Sequence, residues 1–306
     1  MRALMIVNSH ATSTTPLRRD VIAHALASEL ELEVVETRYR GHAVALAADA
    51  AGSGFGVVVT LGGDGTANEA VNGIMRAGGA DPPALAPLPG GSANVFTRAL
   101  GIPADPVDAT GHILAALQSG RSRRIGLGLA GDRYFGFNAG LGFDAEVVRV
   151  VEGLRADGQP ASAALYVWIT VRHFFATDRR RPALSLIRDG QLVADRLYFC
   201  FVSNAAPWTY LGRRPVNPSP QASFDAGLEV FGLHRLSTAA TLAAAYQMLR
   251  RDGAQPRGRH VLALHDEKGF TVAARRPIAF QVDGEYVGEA EEMTFQSVPG
   301  ALRVIS

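Results

Sequence analysis

The first hundred residues alternate between short apolar runs and stretches in which apolar residues recur at helical spacing. The run Val57–Leu61 is continuous and mostly β-branched, as expected for a strand buried on both faces of a parallel sheet. The predicted strands are Ala3–Asn8, Leu32–Thr37, Val57–Leu61 and Ala84–Leu88, and helical patterns begin at Pro16, His42, Thr66 and Ser92. This alternation predicts a Rossmann-like α/β domain, with helices covering a parallel sheet, over residues 1–124.

The pattern changes beyond about residue 125, where strand runs separated by turn residues dominate. Helical patterns remain at Asp144–Gly153, Ala161–Ala176 and Thr238–Arg250. The strand runs are Ala183–Ile187, Leu197–Ser203, Leu228–Leu233, Val261–His265, Phe270–Ala274, Ile278–Val282 and Met293–Ser297. Asp189-Gly190 and Lys268-Gly269 predict hairpin turns. We therefore expect a mainly antiparallel β-sandwich domain over residues 125–306, whose last strand packs back on the first domain.

Composition excludes several classes of protein. A formal net charge of +1 over 306 residues provides no overall field to recruit nucleic acid. Cys200 is the single cysteine and lies in an apolar run, which excludes a disulfide framework and predicts a buried, inert thiol. The apolar N-terminal run is too short for a signal peptide, and Ala161–Ala176 contains Arg172 and His173. We therefore expect a cytoplasmic protein without a transmembrane segment.

The most informative segment joins the buried strand Val57–Leu61 to a glycine-rich loop and a helix. The loop contains Gly62, Gly63 and Gly65 around Asp64, with Thr66 behind them. A strand, a glycine loop and a helix N-terminus in this order direct backbone N–H groups toward an anion. The loop is at the carboxyl end of a parallel strand, where open α/β sheets bind ligands. A tight turn without a ligand is the alternative interpretation.

A second loop of this kind follows the next predicted strand. It reads Pro89-Gly90-Gly91-Ser92-Ala93-Asn94, and Ser92 is a natural N-cap for the helix behind it. Alone, the loop fits an ordinary capped helix start equally well. Because both loops leave successive strands at one edge of the sheet, together they predict a site for a polyphosphate ligand.

The Gly62–Thr66 segment, with Asn68 and Glu69 behind it, resembles the nucleotide-binding motif of the diacylglycerol kinase catalytic-domain family. That family includes bacterial diacylglycerol kinases, sphingosine kinases and ceramide kinases. NAD kinases and phosphofructokinases share the Gly-Gly-Asp-Gly core, so this motif alone indicates only a superfamily. Further matches follow in family order at Pro89–Leu100, Asn138–Ala145, Ser203-Asn204, Asn217-Pro218, Asp225–Val230 and Gln281–Glu285.

The resemblance implies an ATP- and Mg²⁺-dependent lipid kinase and assigns roles to individual acids. Asp283 is the expected general base for the lipid hydroxyl, and Asp225 the expected magnesium contact. Glu285 supports the metal or the nucleotide, whereas Asp64 could be a base, a metal contact or a loop organiser. Taken alone, Asp283-Gly284 also fits a plain hairpin turn. The implied nucleotide-side residues are Asn8, Gly62, Gly63, Gly65, Thr66, Gly91, Ser92, Asn94 and Glu285.

The chain departs from the family pattern at two positions. Val95 follows Asn94 where many bacterial diacylglycerol kinases have an aspartate, which in the family joins residues like Asp64 and Asp144 in a water-linked magnesium network. A valine cannot coordinate a metal, so the resemblance does not carry that auxiliary site over. Asn8 lacks the proline that usually follows it in the family.

The sequence features that could contact a lipid or a membrane are less specific than the nucleotide-binding motifs. The aromatic stretch Leu165–Phe175 fits a core helix or the wall of an acyl-chain groove. Arginine groups at Arg179–Arg181, Arg213-Arg214 and Arg250-Arg251 fit either a solvated face or a patch for anionic head groups at the inner membrane surface. An NAD-kinase-like enzyme acting on a soluble substrate and a non-catalytic lipid-binding homologue stay open as alternatives, as does a homodimer.

Overall fold

The computed structural model describes residues 1–79, 81–156, 163–176, 182–212, 214–250 and 253–306. These residues divide into two units. The first unit comprises Met1–Leu127 with Gly300–Ser306, and the second comprises Gly128–Pro299.

The first unit alternates strands and helices along the chain. Its elements are β1 (Arg2–Val7), α1 (Pro16–Leu26), β2 (Glu31–Glu36), α2 (His42–Gly52), β3 (Val57–Gly62), α3 (Asp64–Ala77), β4 (Ala84–Pro89), α4 (Val95–Ala99) and α5 (Pro106–Gln118). Strands β2, β1, β3 and β4 pair in that order and are all parallel. Every residue of β3 and β4 is buried, which explains their unbroken apolar runs. The predicted parallel α/β domain is confirmed.

The first unit also contains a helix that the sequence analysis omitted and one that it made too long. Helix α5 begins after Asp105, whose side chain accepts hydrogen bonds from the N–H groups of Val107 and Asp108. Helix α4 begins at Val95 rather than at Ser92. An aspartate N-cap followed by proline is an ordinary helix start signal, so the sequence did contain the information for α5.

Strand β5 (Arg123–Ala130) runs from the first unit into the second, and the second unit is rich in antiparallel strands. Its elements are β6 (Arg133–Phe135), β7 (Asn138–Gly142), α6 (Phe143–Ala156), α7 (Ala163–Ala176), β8 (Leu184–Arg188), β9 (Gln191–Leu197), β10 (Phe199–Ser203), β11 (Thr209–Leu211), β12 (Arg214–Val216), β13 (Leu228–Leu233), α8 (Thr238–Met248), β14 (Val261–Glu267), β15 (Gly269–Val282) and β16 (Glu285–Val304). Strands β14, β13, β10, β7, β15 and β16 are neighbours in that order, with β8 paired to β15 and β9. The predicted antiparallel half is confirmed.

Two strand predictions in the second unit need correction. Phe270–Ala274 and Ile278–Val282 form one long strand, β15, with a register shift between Ala273 and Ile278. Lys268-Gly269 is not a hairpin turn, because β14 pairs with β13 whereas β15 pairs with β7, β8 and β16. The Asp189-Gly190 prediction is correct: Arg188 pairs with Gln191 across that turn.

The core of the second unit lies mainly on its antiparallel strands. Phe135, Leu141 and Phe295 are fully buried there together with Cys200. Burial raises the pKa of the Cys200 thiol to about 12, so the thiol is inert at neutral pH, as predicted. Within the described residues, no helix is long and apolar enough to cross a membrane.

Candidate functional site

The two glycine loops of the first unit lie side by side because β3 and β4 end in register. Gly62 pairs with Pro89, and the N–H of Gly90 donates to the carbonyl of Gly62 at 2.7 Å. A Cβ added to Gly91 would lie 2.7 Å from the Cα of Gly63, and one added to Gly90 would lie 2.9 Å from the Cα of Gly62. The glycines are therefore required for one loop to pack against the other, backbone on backbone.

The N-terminus of α3 lies in the first of these loops. Its N-cap residue is Gly63, which makes no side-chain capping hydrogen bond. The first N–H groups of a helix have no acceptor inside the helix, and together with the helix dipole they favour an anion. This helix terminus is therefore suited to hold a phosphate group.

Asp64 joins the two loops. Its Oδ2 accepts a hydrogen bond from the N–H of Val95 at 3.0 Å, and its Oδ1 accepts one from the N–H of Phe96 at 2.9 Å. The carboxylate thus caps the N-terminus of α4 from another element. Of the three roles that the sequence left open for Asp64, this geometry favours loop organiser. It also turns the negative charge toward the N–H groups of α4.

Asn94 fixes the second loop and corrects the predicted cap. Its backbone is left-handed at φ 49° and ψ 48°. Its Oδ1 accepts from the N–H of Gly91 at 2.9 Å, and its Nδ2 donates to the carbonyl of Gly91 at 2.8 Å. The prediction that Ser92 caps the helix is wrong, because Asn94 takes the N-cap position in the left-handed conformation that asparagine tolerates. Ser92 is exposed on the loop.

Asn8 connects the end of β1 to the first turn of α3. Its Nδ2 donates to Oγ1 of Thr66 at 3.2 Å, and its Oδ1 accepts from the N–H of His10 at 3.0 Å. Gly65 lies in the same turn of α3 as Thr66. Asn8 is therefore joined to the first loop even without the proline that usually follows it.

Two residues of the first unit were missed or left without a role by the sequence analysis. The Oγ1 of Thr14 is buried without a hydrogen-bond partner among the described residues, and it lies 2.8 Å from where a Gly90 Cβ would be. The sequence feature that could have indicated Thr14 is the mostly polar segment Ser9–Thr15, directly after β1. Glu69 accepts hydrogen bonds from the N–H groups of Gly41 and Ala43, so this motif residue caps α2.

In the second unit, Asp283 lies at the turn between β15 and β16. Val282 pairs with Glu285, and Asp283 and Gly284 have φ angles of 47° and 78°, so the plain hairpin-turn interpretation is correct as far as it goes. Asp283 is nevertheless only 4% exposed. Its Oδ2 accepts from the N–H of Gly136 at 2.7 Å, and its Oδ1 accepts from Phe137 and Asn138 at 3.0 Å.

This bonding favours an anchoring role for Asp283. Both carboxylate oxygens accept backbone hydrogen bonds, and a general base must have an oxygen within reach of the acceptor proton. The assignment of Asp283 as the base stays a prediction.

A buried amide, Gln281, extends the network around Asp283. Its Nε2 donates to Oδ1 of Asn138 at 3.1 Å and to Oδ2 of Asp144 at 2.9 Å, and its Oε1 accepts from the N–H of Gly284 at 2.9 Å. Desolvation raises the pKa of Asp144 to about 7, and the hydrogen bond from Gln281 opposes that rise. Gln281 lies within one of the motifs of the sequence, but the motif predicts no role for it.

Glu285 and Asp225 have more accessible surroundings. Glu285 forms an ion pair with Arg133 at 2.7 Å, and its side chain is 20% exposed. Asp225 is exposed in the turn before β13, and its N–H donates to Oγ of Ser223 at 3.3 Å. The side chain of Asp225 has no hydrogen bond to the Asp283 network within the described residues.

The residues present fit the nucleotide and the metal that the fold family implies. The uncapped start of α3 and the unpartnered hydroxyl of Thr14 supply donors for phosphate oxygens. The described part of the chain holds no group of three or more His, Cys, Asp or Glu side chains that could hold a metal ion. A magnesium ion that retains several waters needs only one or two protein carboxylates, and the exposed Asp225 of the second unit is a carboxylate of that kind.

Comparisons with known proteins agree with this description of the first unit. Residues 2–129 match the diacylglycerol kinase catalytic domain. The chain is 38% identical over 132 residues to "Probable lipid kinase YegS-like" of Chromohalobacter salexigens, covering 43% of this chain and 41% of that protein. It is 37% identical over 102 residues to "Probable lipid kinase YegS" of Escherichia coli O127:H6, covering 33% of each. The matched segment thus spans less than half the length of these relatives.

The fold comparison extends over the whole chain. A solved structure of a diacylglycerol kinase from Bacillus anthracis aligns with a TM-score of 0.74 at 19% identity, covering 99% of this chain and 96% of that one. At this identity the likeness establishes the fold alone. Taken together, the comparisons show that residues 2–129 are similar to the diacylglycerol kinase catalytic domain and that the whole chain has the fold of the solved structure.

Proposed function

We propose that this protein is an ATP- and Mg²⁺-dependent lipid kinase that transfers the γ-phosphate of ATP to a hydroxyl of diacylglycerol or a related lipid. The observation that carries the proposal is the uncapped N-terminus of α3 in a loop held by Asp64, Asn8 and the second glycine loop. A site of this kind binds phosphate through backbone N–H groups and requires no lysine.

The phosphates of ATP are proposed to bind at α3, with Thr14 and Ser92 as additional donors. Two features favour the start of α3 over the start of α4. Asp64 already occupies the first N–H groups of α4, whereas Gly63 leaves those of α3 without a side-chain cap. The same hydrogen bonds offset the charge of Asp64, which would otherwise repel a phosphate nearby.

Asp225 is proposed to hold the metal, directly or through water. Asp225 would hold the ion, which would supply neutralisation of the charge that develops during transfer. An exposed aspartate at a turn suits this ion, which retains several waters and takes few protein ligands. Glu285 is proposed to support the metal or the nucleotide.

A carboxylate of the turn Asp283-Gly284-Glu285 is proposed to take the proton of the acceptor hydroxyl. Family resemblance favours Asp283, whereas accessibility favours Glu285, because the oxygens of Asp283 already accept three backbone hydrogen bonds. Comparing Asp283→Asn with Glu285→Gln decides between them. The base variant loses phosphoryl transfer by roughly 10²- to 10⁴-fold while its ATP affinity and unfolding midpoint stay close to wild type.

The direct test is a transfer assay with purified protein and ATP labelled at the γ-phosphate. The acceptors are diacylglycerol, sphingosine and ceramide in mixed micelles, and NAD in solution, each with Mg²⁺ or with EDTA. We expect Mg²⁺-dependent labelling of a lipid and no labelling of NAD. Labelling of NAD alone would support an NAD-kinase-like enzyme instead. ATP binding without labelling of any acceptor would support a non-catalytic lipid-binding homologue.

A matched pair of variants connects the assay to the proposed site. Gly91→Ala places a methyl group 2.7 Å from the Cα of Gly63, whereas Gly111→Ala in α5 places one where no atom lies within 4 Å. ATP binding should weaken in the first variant and stay unchanged in the second. Equal ATP affinity in both would contradict the proposed phosphate site.

A further inference from the structure

Helix α7 carries apolar residues on opposite sides, yet only one side is covered. Ile169 and Phe174 are 2% and 8% exposed, and Ile169 packs with Val147 and Val151 of α6. On the opposite side, exposure is 45% for Val167, 56% for Trp168, 51% for Val171 and 64% for Phe175. A helix that is hydrophobic all round is normally buried all round. Its uncovered side therefore calls for a partner.

Helix α8 carries a second exposed apolar pair. Leu242 and Tyr246, one helical turn apart, are 65% and 70% exposed. On the covered side of α8, Ala244 and Met248 join the same core cluster as Phe174 of α7. Because the two helices share this cluster, both belong to one region of the second unit. We call the exposed residues Val167, Trp168, Val171 and Phe175 of α7 the apolar helix face, and Leu242 and Tyr246 are a second exposed apolar pair in the same region.

The full charge that these two helices themselves carry is positive, from Arg172. Neither Ala163–Ala176 nor Thr238–Met248 contains an acidic residue. The exposed Arg172 lies with its guanidinium 5.4 Å from the centroid of the Trp168 ring. His173 is paired with Glu146 of α6, and the exposed residues Arg235 and Arg250 flank α8. The arginines at positions 179–181, 213 and 251, which the sequence analysis considered for anionic head groups, lie outside the described residues.

We propose that the apolar helix face docks on an anionic phospholipid bilayer. Tryptophan, tyrosine and phenylalanine beside arginine are the residues that settle at the boundary between head groups and acyl chains. Two helices without acidic side chains suit negative head groups, to which nearby arginines such as Arg172 are attracted. The inference rests on the proposed function, whose acceptor lipid is held in such a bilayer.

Vesicle binding by the purified full-length chain tests the proposal. Vesicles of phosphatidylcholine with phosphatidylglycerol are compared with vesicles of phosphatidylcholine alone, using Trp168→Glu/Phe175→Glu and the control Leu17→Glu/Leu192→Glu. The control residues are also strongly exposed, at 75% and 62%, but lie on α1 and β9. We expect the face variant to bind anionic vesicles at least about tenfold more weakly, since burying one aromatic side chain is worth that much. The control should bind as wild type does.

Fluorescence supplies an independent measurement, because the chain has 2 tryptophans and only Trp168 is exposed. Anionic vesicles should shift the emission of the wild type to shorter wavelength and leave Trp168→Phe unchanged, since Trp208 is 7% exposed. Unshifted wild-type emission, or equal sedimentation of the face variant and the wild type, would overturn the proposal. So would a wild-type dimer that the face variant dissociates in the absence of lipid, because the face would then bind a second copy.

Failure of docking can be told apart from failure of the proposed function. Wild type and face variant are assayed with a short-chain diacylglycerol below its micelle-forming concentration and with a long-chain one in anionic vesicles. Docking predicts that the variant loses activity only toward the vesicle substrate. Equal activity of both proteins toward vesicles would count against docking while leaving the kinase assignment intact. Vesicle binding without any transfer by the wild type would count against the kinase assignment alone.

Discussion

Asp64 and Asp283 are equivalent in one respect and different in another. Each lies in an Asp-Gly sequence at the end of a strand, and each carboxylate accepts backbone hydrogen bonds from a distant segment. Asp64 is partly exposed and caps one short helix, whereas Asp283 is 4% exposed and accepts three bonds from consecutive residues. Asp283 also adjoins a network of buried amides formed by Gln281 and Asn138.

The difference indicates how each unit positions the groups that are available for binding. In the first unit, the aspartate fixes a loop and leaves an adjacent helix N-terminus uncapped by a side chain. In the second unit, the aspartate fixes a turn and leaves the adjacent Glu285 partly exposed. In both units, the motif aspartate fixes the backbone, and the group next to it is only partly engaged. Four changes test this comparison.

The largest effect is expected for Asp283→Ala. Three buried N–H groups lose their acceptor, so the free energy of unfolding should fall by roughly 3–5 kcal/mol in urea titrations. Lipid phosphorylation should fall with it. The control is Asp189→Ala, at the other Asp-Gly hairpin turn, where Asp189 has φ 52° and is exposed. A cost no larger than that of the control would remove the anchoring role.

Asp64→Ala should lower the free energy of unfolding less than Asp283→Ala does, but it should lower the affinity for ATP more. Its two N–H partners lie at a partly exposed helix start, so we expect a loss of roughly 1–3 kcal/mol. ATP binding by titration calorimetry should weaken as the loops separate. Asp105→Ala removes a similar two-bond cap from α5 and serves as the control. If both variants weaken ATP binding equally, the effect is one of general stability.

Gly91→Ala should follow with a loss of roughly 1–2 kcal/mol, because its new methyl group would overlap the backbone of Gly63. Gly111→Ala lies inside α5 in open space and should raise stability by about 0.5–1 kcal/mol. Thermal unfolding of the two variants measures both the expected loss of stability and the expected gain. A neutral Gly91→Ala would show that the loops can move apart freely.

Asp144→Asn should have the smallest effect and change only the pH dependence. Burial raises the pKa of Asp144 from 3.8 to about 7, so the folded state favours the neutral acid. Its contribution to stability is complete below pH 3.8 and is lost as pH rises through about 7. In EDTA, the variant should be more stable than wild type by about 1 kcal/mol at pH 8, after allowing for partial exposure, and equal to it near pH 4. A difference that does not depend on pH would contradict the assigned burial.

The sequence predicted most of the first unit because its signals are local. Continuous apolar runs marked β3 and β4, and the glycines after them marked the loops. The loop interior was less predictable: Ser92 is the usual cap residue, but Asn94 adopted a left-handed backbone and closed the loop on Gly91. Which of the two residues caps the helix depends on how the two loops pack against each other. The sequence of one loop alone does not contain that information.

The second unit was less predictable because its contacts are remote in sequence. Asp283 accepts hydrogen bonds from the backbone N–H groups of Gly136–Asn138. No local sequence pattern around residues 136–138 predicts that a carboxylate will bind there. Strand pairing also explains why the hairpin turn predicted at Lys268-Gly269 is not formed. The local sequence is typical of a turn, but the strands on either side of it pair with other strands. For α7, composition predicted the helix but left open which side would be covered.

The return of the chain to the first unit has a consequence for synthesis. Val304 pairs in parallel with Leu85, the N–H of Ile305 donates to the carbonyl of Leu85 at 2.9 Å, and Arg121 donates to the carbonyl of Ser306. The edge of β4 therefore stays open until residues 300–306 have been synthesised. The intervening residues 128–299 can complete their own fold earlier, so the first unit is completed after the second.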